Sequence, residues 1–92
     1  MSEWSPMCDR LKGRNVVIDV ASQYVYLGRL TDWDEKFVTL EEVDVHDLRD
    51  TATSRERYIL DSVHHGIRPN RTRTHVRWGD VISLSALDDV IP

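Results

Sequence analysis

The chain has 92 residues, 40% of them hydrophobic, enough for one compact domain with a thin core and much of its surface left uncovered. Sixteen Asp and Glu against twelve Lys and Arg give a net charge of −4, so a polyanion partner has to be met locally rather than by the field of the whole molecule. One cysteine, Cys8, excludes an intrachain disulfide and a zinc cluster built on thiols. No apolar run approaches the roughly 18 residues of a membrane span, so a cytoplasmic protein with no membrane partner is expected.

Residues 1–13 read as a short helix. Ser5 is the predicted cap, Pro6 suits the first helical position, Met7 and Leu11 recur four apart, and Gly13 is the stop. Asn15 to Val20 and Tyr24 to Leu30 are rich in branched and aromatic residues and read as a hairpin joined near Ala21-Ser22-Gln23. A polar turn, Thr31 to Glu35, leads into a third strand, Phe37 to Leu48. Its apolar parity switches from Val38 and Leu40 to Val43 and Val45, which predicts a bulge or bend at Glu41-Glu42.

Thr53-Ser54-Arg55-Glu56 fits a capping box. Ile59, Leu60, Val63 and Ile67 follow at helical spacing, so a helix inserted between strands 3 and 4 is expected over 53–66. Strand 4, Arg71 to Trp78, puts Thr72, Thr74, Val76 and Trp78 on one face and Arg71, Arg73, His75 and Arg77 on the other. After a tight Gly79-Asp80 link, Val81 to Leu87 reads as a last strand with Ile82, Leu84 and Ala86 on one face.

Charge is segregated along this plan. The stretch His64-His65-Gly66-Ile67-Arg68-Pro69-Asn70-Arg71-Thr72-Arg73-Thr74-His75-Val76-Arg77 holds four arginines and no acid, leaving eight basic residues against sixteen acids elsewhere. Two readings stay open for its arginines. Arg68, Arg71, Arg73 and Arg77 contact RNA phosphates, or they are neutralised across the sheet by Glu41, Glu42, Asp44 and Asp47.

The order of elements, with the segment Tyr26 to Val45, resembles the Sm-like fold family, bacterial type, a small and strongly bent five-stranded barrel. Gly28, Leu30, Asp34 and Leu40 fall at the spacing of the first Sm motif. Val76, Arg77, Val81 and Leu84 fit the second more loosely. The fold class this implies is mainly β: a single Sm-like domain over 1–92, with an N-terminal helix and a short inserted helix.

The resemblance further implies a homo-oligomeric ring, closed by strand 4 of one subunit against strand 5 of the next. RNA is the implied partner, with Lys36, Arg77, Trp78, Arg71 and Arg73 as candidate contacts and Gly28, Asp34 and Leu40 as the structural motif. The positions where the family's asparagine and stacking residue contact uracil hold Val38 and Lys36 here, which predicts recognition other than the usual uridine mode. Trp78 stands where the second motif has glycine. Its indole is either a stacking platform or, by its parity with Val76, part of the core.

Other chemistry has little support. His64, His65 and His75 lack ligand spacing, so no metal or other cofactor is expected. Asp34 and Asp88-Asp89 stand without the partners a catalytic site needs, so the chain reads as no enzyme, with no small-molecule substrate. The rivals to an RNA-binding ring are a homo-oligomeric scaffold that binds a protein partner and a monomeric SH3-like barrel that binds a peptide.

Overall fold

The computed structural model describes residues 3–92, so the first two positions of the expected 1–13 helix lie outside the described residues. Helix α1 (Ser5–Leu11) is followed by strands β1 (Asn15–Val20), β2 (Tyr24–Trp33) and β3 (Phe37–Asp47). Helix α2 (Arg55–His65) and strands β4 (Arg71–Arg77) and β5 (Val81–Ala86) complete the order. The strands form one antiparallel sheet in the order β4-β3-β2-β1-β5, bent and mainly β, as expected. Among the described residues, no helix is long and apolar enough to cross a membrane.

Bending is written into β2 and β3. Glu42 takes a left-handed backbone (φ 51°), and the β2–β3 register shifts between Leu27 and Arg29, on either side of Gly28. Gly28 is needed there. A Cβ on it would lie 3.2 Å from both the Glu41 carbonyl oxygen and the Val43 Cα, so a side chain there would push the two backbones apart by a few tenths of an ångström. Beyond the bulge, Leu30 pairs with Leu40 and both are fully buried.

The sheet is buried on both faces. Its concave side holds Val16, Ile18, Val20, Leu30, Val38, Leu40, Val43 and Val76, and α1 covers it through Cys8, Met7 and Leu11. The convex side carries a second core of Val17, Val25, Leu27, Ile59 and Leu87, so α2 rests on its own sheet. Arg55 fastens the start of α2 to β1 by an ion pair with Asp19 (3.0 Å) and a hydrogen bond to the Ser22 carbonyl oxygen (2.9 Å).

Three local expectations need correction. Ser5 does not cap α1: Trp4 holds the cap position and makes no side-chain capping bond to the helix, and the Ser5 hydroxyl instead accepts a bond from Trp33 Nε1 (3.0 Å). The cap of α2 is Ser54, whose Oγ accepts from the Arg57 N–H (3.2 Å), so the box is displaced by one residue from Thr53. Ile82 does not face the core. The β1–β5 register pairs Asp19 with Ser83 but Val20 with Val81, and the skipped Ile82 is 67% exposed.

Candidate nucleic-acid interface

Asp34 organises the turn between β2 and β3. Its Oδ1 accepts the N–H groups of Lys36 (2.8 Å) and Phe37 (2.7 Å), and its own N–H donates to the Phe37 carbonyl oxygen (2.9 Å). The two amides, that of Phe37 first, hold the Asp34 carboxyl below the usual carboxylate range. Two bonds from Trp78 then lock this turn to the one between β4 and β5. Its N–H donates to the Lys36 carbonyl oxygen (2.8 Å), and its Nε1–H donates to the Asp34 carbonyl oxygen (2.9 Å).

The Trp78 ring itself is 7% exposed and stacks on Trp4, with centroids 4.7 Å apart. Of its two readings, core and base platform, the geometry realises the first. Trp33 braces the same corner through Ser5, and Lys12 Nζ lies 5.9 Å from the centroid of the Trp33 ring. The turns are thus held by α1 and by the barrel core together.

Lys36, Phe37 and Arg77 are exposed at this corner. Phe37 pairs directly with Arg77 across the β3–β4 ladder, so the two side chains share a face. Phe37, 39% exposed, borders an open recess of about 450 Å³ with Asp32, Trp33, Asp34, Thr39 and His75. The His75 ring is fixed there by a hydrogen bond between Nδ1 and Thr39 Oγ1 (2.8 Å). Arg77 Nε lies 3.6 Å from an Asp80 carboxylate oxygen, a solvent-exposed contact that holds the guanidinium only weakly.

Sequence reasoning passed over Phe37 as the start of a strand. The signal was there in its parity: it alternates with Thr39 and Glu41, opposite to the buried Val38 and Leu40. An exposed aromatic ring that follows Lys36 in the chain and pairs with Arg77 across the ladder, beside turns fixed by hydrogen bonds, is a surface suited to a base and its phosphate.

The other candidate arginines lie away from this corner. Arg73 pairs with Glu41 (3.5 Å), one of the acids expected to neutralise the ridge. Asp47 is taken by Arg49, Asp44 is buried against Tyr58, and Glu42 is exposed at the bulge. Arg71 stands opposite Val43 at the start of β4, about 20 Å along the strand from Arg77. Among the described residues, no group of three or more His, Cys, Asp or Glu side chains is placed to hold a metal ion.

No protein-family model matches the chain, and no curated protein matches it either. Among solved structures, it is similar to a Pyrococcus abyssii Sm protein solved in complex with a uridine heptamer. The TM-score is 0.60 at 15% sequence identity, over 89% of this chain and 94% of that one. At that identity the likeness shows the fold: the bent five-stranded sheet is Sm-like.

Proposed function

We propose that the chain is a single Sm-like domain of bacterial type that assembles into a homo-oligomeric ring and binds RNA without catalysing a reaction. One observation carries the RNA reading: exposed Lys36, Phe37 and Arg77 lie at the ends of strands beside two turns that Trp78 locks to each other. Phe37 supplies the stacking face, and Lys36 and Arg77 meet phosphates. The RNA complex of the structural neighbour supports this choice over other ligands. With Val38 buried in the core, no side chain at that position reads a uracil edge, so affinity comes from stacking and charge and varies little with base identity.

The ring reading is supported by the two end strands of the sheet. β4 and β5 are similar in length, free of proline, and, among the described residues, have no strand partner on their outer sides. A ring of this kind belongs in the cytoplasm, where the single buried thiol of Cys8, pushed up by burial and then by Asp9, stays reduced.

The scaffold reading draws on the ion pairs Arg73–Glu41 and Arg77–Asp80, which spend ridge charge inside the chain. Fluorescence anisotropy with oligo-U, oligo-A and mixed RNA separates the two. The RNA reading predicts binding below about 10 μM at low salt, weakened severalfold or more by Phe37→Ala or by Lys36→Ala with Arg77→Ala, and weakened further as salt rises. No binding by the assembled wild-type protein at low salt favours the scaffold.

A further inference from the structure

The basic stretch that opens β4 is only partly absorbed by the proposed RNA corner. Arg68 and Arg71 are exposed and, among the described residues, neither has an ion-pair partner; Arg71 Nη1 reaches only the Asn70 carbonyl oxygen (3.2 Å). Asn70 fixes where this stretch leaves the sheet. Its side chain bonds the backbone of Val45 in both directions (2.9 and 3.0 Å), and its N–H donates to the Val43 carbonyl oxygen (2.8 Å).

Unmatched acid lies beyond the other end strand. Leu87 is buried in the convex core and begins a short 3-10 turn that holds Asp88 and Asp89 out in solvent. Asp88 makes one long contact, 3.9 Å to Arg14 Nη2, with its side chain 89% exposed, and Asp89 has no ion pair among the described residues. The basic and acidic sets belong to opposite ends of the strand order, so no neighbouring strand in the chain brings them together.

The spacing matches between two copies. Arg68 and Arg71 occupy the position three before β4 and its first residue; Asp88 and Asp89 lie two and three residues after the last residue of β5. If β4 of one copy pairs antiparallel with β5 of the next, the start of the first strand meets the end of the second. The other end of the pairing needs no new partner, since Arg77 and Asp80 already meet within one chain. Ile67 and Leu87, the residues just before Arg68 and Asp88, both pack on the convex core, so the two segments leave the sheet from packed positions.

Building on the ring proposed above, we infer that Asp88 and Asp89 of one subunit latch onto Arg68 and Arg71 of the next, making the contact antiparallel and head-to-tail. The latch sets direction and register, while the strand pairing supplies most of the adhesion. It also accounts for a chain that is acidic overall yet keeps an acid-free basic segment at one sheet edge.

A charge-swap series read by native mass spectrometry and size-exclusion light scattering tests this. Arg68→Glu with Arg71→Glu, and separately Asp88→Arg with Asp89→Arg, are each expected to weaken assembly about tenfold or more, as attraction becomes repulsion at low ionic strength. Circular dichroism checks that each variant stays folded. Mixing the two variants should restore a contact in which reversed Arg68 and Arg71 face reversed Asp88 and Asp89, and combining all four changes in one chain should restore the homo-oligomer.

Assembly unchanged in both pairwise variants, or lost without rescue in the folded four-fold variant, overturns the latch while leaving the ring intact as a reading. A wild-type protein that stays monomeric at every concentration overturns both.

Discussion

Replacing Trp78 with alanine is expected to cost about 3–5 kcal/mol of folding stability, the range for removing a large buried aromatic side chain. The ring is 7% exposed, stacks on Trp4, and belongs to the concave core with Val76 and Val38. Its Nε1–H also satisfies the Asp34 carbonyl oxygen at 2.9 Å. Trp78→Phe separates these contributions. It keeps most of the packing and loses the bond to Asp34, so it should cost about 1 kcal/mol beyond the loss of ring size. Urea unfolding followed by circular dichroism measures both variants. A Trp78→Ala midpoint equal to that of the wild type would mean that the indole is not in the core.

The second large effect is expected at Tyr58. Asp44 is 4% exposed on β3, and the Tyr58 hydroxyl donates a hydrogen bond to its carboxylate from α2. The His46 ring lies parallel to Tyr58, centroids 3.6 Å apart, and closes the other side. Tyr58→Phe leaves a buried carboxylate short of a donor and should cost about 1–3 kcal/mol.

The same contact carries a pH signature. Burial first, and then the bond to Asp44, raise the Tyr58 phenol above its ordinary value of about 10. A group whose folded pKa is raised contributes stability that is fully present below its unfolded pKa and is lost as pH rises through the folded one. The wild type should therefore lose stability above about pH 10 more steeply than Tyr58→Phe, the two curves running parallel between pH 6 and 9. Parallel curves at all pH values would show that the phenol is not held by Asp44.

Much of the fold was legible because strand parity speaks directly about faces. The alternation of Thr72, Thr74, Val76 and Trp78 pointed Trp78 inward, and the phase change at Glu41-Glu42 marked the left-handed bulge opposite Gly28. Parity misled at Ile82, because an extra residue in β5 shifts the pairing with β1 and turns that side chain outward.

Helix caps were misplaced for a different reason. Ser54 and Thr53 are chemically equivalent as caps, and only the backbone fixes which one reaches an N–H three residues on. The docking of α2 on the convex face, and with it the Tyr58–Asp44 bond, links residues 14 apart through tertiary packing that no local pattern encodes. At the proposed RNA corner, Lys36 and Arg77 were visible from motif spacing. Phe37 emerged only once its register opposite Arg77 was fixed.

Assembly is the premise on which the proposed RNA corner and the charge latch both depend, and native mass spectrometry of the purified wild-type protein at low ionic strength addresses it directly. The expected spectrum shows one closed oligomer of several chains that falls apart to subunits on activation, with RNA adducts on the oligomer if it is purified without nuclease. A spectrum holding only the mass of a single chain, at concentrations well above those of the binding assays, would contradict the account.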